Sequence, residues 1–383
     1  MKSITQAARL LCLGLLLSLH SMAQTSVSDW LAKGKQLRES KKYTEAIDAY
    51  QQARKLDKSN YEAFFQLGWL YNETRQYPLA LEYLQRAADL NGYNANLYFE
   101  LGYAADNTNQ LAQAEEWYTK CLDMNPRYAN ALKEMGDLRL NADKWQEAAS
   151  YYLRAVEANT QMESAFNRLG YTYNSLGQYD NALWALRKAV QIKPTANSYN
   201  EIGFSYYKRQ QADSAIYAYQ QSALQEATGN GTAYKGMGDA YRLLYKPAKV
   251  NEALDAYKKA NEQYSNPNVG TLFGIGWCYN SLGRFSEAVP MLEKALATNP
   301  NSIASLAEIL YAKYRLGQYS DANSYLQKAL AIDSKHKLSL YYGGLSYVAQ
   351  RDGSNARRLL ETLRSVDSGL GDKLSKSISD AGL

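Results

Sequence analysis

Three pairs of residues in this 383-residue chain have the chemistry to hold another molecule: Trp69 with Asn72, Tyr171 with Asn174, and Trp277 with Asn280. In each pair an aromatic ring and a carboxamide stand three residues apart, which on a helix places them on one face. A carboxamide carries donor and acceptor together and so matches the backbone of an extended peptide. The ring beside it suits an apolar side chain or the flat face of a sugar.

Residues that would turn such a surface into a catalyst are scarce. With 2 His and 3 Cys in the whole chain, soft ligands are too few for a typical zinc site. A Ser-His-Asp arrangement would have to use His336, which sits in the polar stretch "DSKHK" and reads as a solvated loop histidine. No phosphate loop, nucleotide fingerprint or nucleophile elbow occurs, and no carboxylates pair convincingly for glycoside hydrolysis. Lys133 with Asp137 and Lys235 with Asp239 are opposite charges at four-residue spacing, which reads as intrahelical ion pairing. No catalytic residue, metal site or cofactor is expected. A formal charge of +5, from 43 basic and 38 acidic residues, gives no electrostatic grip on nucleic acid.

The first residues read as an export leader. Lys2 and Arg9 precede the apolar run Leu10 to Leu19, and Ser21 and Ala23 fit a cleavage site before Gln24. The run is too short to span a bilayer. Acylation at Cys12 would make a lipoprotein, but the long apolar run after that cysteine argues against it. A signal peptide over residues 1–23 is therefore expected, and a bacterial periplasm or cell envelope is the expected destination. The remaining Cys121 and Cys278 form no disulfide framework of the kind exported eukaryotic domains use. The patterns "NET" at Asn72 and "NGT" at Asn230 are the available acceptors for N-linked sugars, and a glycan on Asn72 would occupy the surface described above.

What positions these residues is a repeat. Glycines fall at Gly34, Gly68, Gly102, Gly136 and Gly170, each 34 positions from the last, and continue at Gly203, Gly238 and Gly276. With this glycine as position 8, units start at Val27, Tyr61, Ala95, Ala129, Glu163, Ala196, Gly231, Val269, Ile303 and Lys337. Position 20 is then alanine in every unit, from Ala46 to Ala356, and Pro126, Pro194 and Pro300 stand at position 32, where a helix should end. Glycine against alanine would let two antiparallel helices approach closely, with bulk at positions 4, 11 and 24 beside the contact.

Length, glycine, alanine and proline together resemble the tetratricopeptide repeat (TPR) family over residues 27–368. The resemblance implies an all-α, right-handed superhelical solenoid of about ten helix-turn-helix repeats within residues 24–368. Leu370, Leu374 and Ile378 form one apolar stripe, so residues 369–383 are expected to be a C-terminal capping helix. Leu310 replaces the glycine in the ninth repeat, and the seventh is lengthened by "YKPAKVNEA"; a bend is expected at 226–252.

The same resemblance implies a concave groove lined by the first helix of each repeat. Its expected partner-binding residues are Phe65, Trp69, Asn72, Phe99, Tyr103, Tyr171, Asn174, Phe204, Phe273, Trp277, Asn280 and Tyr311. Aromatic and amide-rich, this groove suits a protein or extended peptide, with a glycan as the alternative partner. The expected function is that of a non-catalytic interaction or assembly scaffold with no membrane span in the mature chain. A longer period overlies the repeat. Units two, five and eight share aromatic-x-Tyr-Asn, and units four and seven share Lys at position 5 with Asp at 9, as a triplicated block of three repeats would.

Overall fold

The computed structural model describes residues 26–91, 94–226, 230–244 and 247–383; the expected signal peptide lies outside them. Among the described residues the chain forms α-helices and the 3₁₀ turn Pro247–Lys249, with no strand. Helices come in pairs that follow the repeat. The first of a pair has 13 residues, as in Tyr61–Glu73 and Val269–Ser281. The second, after a short turn, mostly has 14, as in Tyr43–Leu56 and Phe285–Thr298. Ser368–Asp380 follows the last pair as a single helix, capped by Asp367, with Leu374 and Ile378 buried.

The chain divides into two compact units, one reaching Gln161 and holding repeats one to four, the other running Met162–Leu383 with repeats five to ten and the final helix. Within the stretch 226–252, residues 227–229 and 245–246 lie outside the described set. The remainder carries the 3₁₀ turn, which leads directly into the helix Val250–Gln263. The two units part at 161/162, beside a helix start without a side-chain cap. Asn60, Asn268 and Ser302 each accept the N–H of the residue three positions on, as N-caps do. Tyr128 and Met162 occupy the equivalent place in repeats four and five and offer no such bond. His336 departs from the expected solvated loop histidine: its Nδ1 accepts the Ser339 N–H at 3.4 Å and caps the helix Lys337–Ala349. Partial burial lowers its pKa, which keeps the ring neutral and able to accept.

Among the described residues the turns inside the nine repeats other than the seventh are closed by one device. Position 15 takes the left-handed conformation at Arg75, Asn109, Asp143, Gly177 and Gly283, among others. The next N–H then reaches back five residues in the Schellman pattern, as Gln76 to the Tyr71 carbonyl (2.7 Å) and Arg284 to the Tyr279 carbonyl (2.8 Å).

Helix packing corrects one sequence expectation. Alanine at position 20 is fully buried in all ten repeats, from Ala46 to Ala356, yet the position-8 glycine of repeats one to eight meets position 24 of its own repeat, and Gly344 of the tenth meets Leu374 of the final helix. A Cβ on Gly170 would stand 2.4 Å from Leu186 Cγ, and one on Gly136 2.6 Å from the Tyr152 ring. The missing side chain is therefore filled by a leucine or tyrosine from the second helix, while the alanine fits beside it. Tyr50, Tyr118, Tyr152 and Tyr257 at position 24 are among the largest fully buried side chains, so tyrosine forms much of the core.

Candidate partner-binding surface

The asparagines are engaged within the array, not held open as a ladder. Asn72 is 3% exposed, and its Nδ2 donates to the carbonyl (3.0 Å) and carboxyl (2.7 Å) of Glu100 in the next repeat. Asn174 makes the same pair of bonds to Glu201 at 3.1 and 2.8 Å, and Asn280 to Glu308 at 2.9 and 2.8 Å. Each amide thus ties position 12 of one repeat to position 6 of the next. The bond recurs three repeats apart, so the longer period of the sequence is also a period of contacts. Burial raises the carboxyl pKa at all three acids, to about 7 at Glu100, while the donated amide hydrogen pulls it down.

The aromatic residues are more open. Tyr171 and Phe204 are exposed, and Phe65, Trp69, Phe99, Tyr103, Phe273, Trp277 and Tyr311 are half-buried. A joint recurs at position 9: an aromatic ring at the start of the preceding repeat's second helix meets it edge to face. Tyr43 does so on Trp69 at 6.1 Å, Tyr77 on Tyr103 at 6.1 Å, Tyr179 on Phe204 at 6.5 Å and Phe285 on Tyr311 at 5.7 Å. Cations cover further faces. Arg38 lies over Trp69 at 5.3 Å, Lys208 over Phe204 at 5.3 Å, and Arg242 over both Phe273 at 5.2 Å and Trp277 at 4.8 Å.

Of the twelve sequence-derived groove residues, Phe65, Trp69, Asn72, Phe99 and Tyr103 belong to the first unit and the rest to the second. Trp277, Asn280 and Tyr311 come together in one cleft of about 660 Å³, shared with Arg242, Glu308 and Arg315. Those last three were not among the expected groove residues. Arg242 stands at position 12 and Arg315 at position 13 of their repeats, so the groove register could have marked them. Glu308 was hidden because position 6 normally faces the neighbouring repeat.

The charged pairs at positions 5 and 9 are bonded as intrahelical pairs, Lys133 to Asp137 at 2.7 Å and Lys235 to Asp239 at 2.6 Å. Each aspartate also accepts the hydroxyl of the position-24 tyrosine of its repeat, Tyr152 and Tyr257 respectively. The pair is thus part of the joint between two helices. Cys121 and Cys278 are buried free thiols, and burial pushes both up to about 12, far from the thiolate form that reacts. Among the described residues no helix is long and apolar enough to cross a membrane.

Comparison with known proteins agrees with this architecture. Models of the tetratricopeptide repeat match residues 62–91, 95–128, 133–197 and 269–302, and a TPR repeat model matches 34–74. The chain belongs to the tetratricopeptide repeat family. Among solved structures, the APC/C hetero-tetramer Cut9–Hcn1 matches at 12% identity and a TM-score of 0.51, covering 94% of this chain and 98% of that one. A tetratricopeptide repeat protein from Parabacteroides merdae matches at 17% identity and 0.45, covering 65% and 97%. YrrB, described as a TPR protein with an unusual peptide-binding site, matches at 20% identity and 0.42, covering 49% and 95%. No match was found among curated proteins.

Proposed function

We propose that the chain is a non-catalytic scaffold that binds a partner protein through an extended segment laid on the first helices of its repeats. The observation that carries this reading is the cleft where Trp277, Asn280 and Tyr311 meet. It is concave and lined by aromatic rings together with convergent charged and amide groups, a combination that fixes the orientation of a ligand. Repeat arrays of this family present such surfaces to other proteins. Asn72 and Asn280 each keep an Oδ1 that their inter-repeat bonds leave over, whereas Asn174 Oδ1 is taken by Ser205.

A glycan partner would need uncovered aromatic faces, and the cations over Trp69, Phe204 and Trp277 weigh toward the peptide. Export by the 1–23 leader, to a bacterial periplasm or cell envelope, belongs to the same proposal and would place the partner there. Peptide and glycan arrays probed with the purified protein distinguish the two ligands. Binding should fall at least tenfold in the Trp69→Ala, Trp277→Ala double variant; unchanged binding would remove the surface from consideration. Affinity purification from an envelope fraction then identifies the partner.

A further inference from the structure

We propose that the cleft among repeats seven to nine receives an acidic side chain of the partner segment, its carboxylate on Arg242 and Arg315 and a neighbouring backbone N–H on Asn280 Oδ1. This rests on the reading of the face as a partner-binding surface, and it names the chemistry of what enters.

Asn280 supplies the first observation. It is 4% exposed, and its Nδ2 donates to the Glu308 backbone carbonyl at 2.9 Å. A carbonyl can only accept, so the amide is fixed with its NH₂ toward Glu308 and Oδ1 left over. That oxygen is buried and meets no donor among the described residues, and Asn280 is one of the residues that line the cleft. In the equivalent joint between repeats five and six, Ser205 donates to Asn174 Oδ1 at 2.6 Å. Here the corresponding residue is Ala312, which has nothing to donate. A buried acceptor without a donor is costly, and a ligand N–H in the cleft would satisfy it.

The arginines supply the second. Arg242 donates from Nη1 to the Tyr257 hydroxyl at 3.3 Å and stands 3.8 Å from Asp239, but its Nε is buried and unpaired. Arg315 donates to the Tyr311 hydroxyl at 2.8 Å, and no carboxylate among the described residues forms an ion pair with it. Lys249 also lines the cleft but is matched by Glu252 at 2.8 Å. Glu308, the acid in the lining, already accepts from Asn280 Nδ2 at 2.8 Å, and burial raises its pKa against the pull of that bond and of Arg242. The unmatched charge is therefore positive, and it is carried on planar guanidinium groups that suit a carboxylate.

Covered rings make the occupant a peptide acid in preference to a sugar. Arg242 lies over Trp277 at 4.8 Å and Arg315 over Phe285 at 4.6 Å, which takes up the faces a pyranose would stack on. What remains is cation and acceptor lining one cleft, complementary to a carboxylate and an amide hydrogen of the same segment.

The test is an array of N-acetylated, C-amidated octapeptides with randomised flanks and one fixed central residue. Asp or Glu at the centre should be retained at least tenfold over Asn or Gln by the wild-type protein. Arg315→Gln should lose that preference, and Arg315→Lys should keep part of it. Because an arginine variant can also disturb folding, N-methylated versions of the best peptide are measured on the unaltered protein. One methyl beside the acidic residue should weaken binding at least tenfold, by removing the hydrogen aimed at Asn280. Equal retention of acidic and amide centres would overturn the inference while leaving the scaffold reading intact, as would an acid preference that persists in a folded Arg315→Gln protein. Binding of no peptide would remove both readings. Retention of oligogalacturonate with no acidic peptide bound would overturn the peptide assignment in favour of a sugar acid.

Discussion

Ser205 donates its hydroxyl to Asn174 Oδ1 at 2.6 Å, filling an acceptor that the equivalent Asn72 and Asn280 leave unpaired. The three joints are otherwise alike, so the serine is a natural test of the bond. Ser205→Ala should destabilise the second unit by about 1–2 kcal/mol, because the buried acceptor then loses its donor. Ala104→Ser, at the corresponding place in repeat three, should stabilise by up to about 1 kcal/mol. Denaturant melts decide it, and a neutral Ser205→Ala would show that the acceptor finds another donor.

The half-buried Glu100 makes stability depend on pH. Burial raises its folded-state pKa to about 7 from an ordinary 4.5, so the folded protein holds this proton more tightly than the unfolded chain does. The stability it contributes is fully present below pH 4.5 and is lost as pH rises through about 7. Between pH 5 and 8 the loss should be on the order of 1–3 kcal/mol. Glu100→Gln keeps an acceptor for Asn72 but does not ionise; it should flatten that dependence and be the more stable protein at pH 8. Parallel slopes for variant and wild type would show that Glu100 does not titrate in this window.

Two glycines should respond to alanine for different reasons. In Gly170→Ala the new Cβ would stand 2.4 Å from Leu186 Cγ, a clash that ought to cost about 1–3 kcal/mol. Leu186→Ala in the same chain should recover part of it, and additive losses would place the contact elsewhere. Gly283 has open space around its Cβ position but a φ of +75°. Its alanine variant should lose roughly 1 kcal/mol from backbone strain, which no second-site truncation relieves.

The bare helix start at Met162 can be improved. Its backbone is non-helical and its side chain makes no cap bond. Met162→Asn places an acceptor where Asn60 accepts the Ala63 N–H at 3.0 Å. A gain of about 0.5–1.5 kcal/mol is expected, read as a raised melting temperature. An unchanged melt would mean that the Ala165 N–H is satisfied by another route.

Pattern alone was enough to read the scaffold. The glycine at position 8 and the alanine at position 20 are selected by size at one place in nearly every helix pair. Their 34-residue spacing therefore carries the packing rule in plain sight, and it resolved the units from the one starting at Val27 to the one starting at Lys337. The site was less legible. Asn72, Asn174 and Asn280 were marked as special by recurring with an aromatic partner, yet their role depends on Glu100, Glu201 and Glu308, 27 or 28 residues further on. Nothing local shows that position 12 of one repeat reaches position 6 of the next.

By itself, then, the sequence determined the all-helical repeat, the register of each unit and the absence of the residue sets that common catalytic chemistries require. Periodic steric demands write these directly into residue type. Tertiary structure alone decided which polar atoms remain available. Packing of one repeat on the next turns Asn280 inward to Glu308, lays Arg242 on Trp277 and leaves Oδ1 without a donor in a residue that lines a cleft. An amide's free atom is whatever its neighbours do not bond, and those neighbours are brought up by the fold.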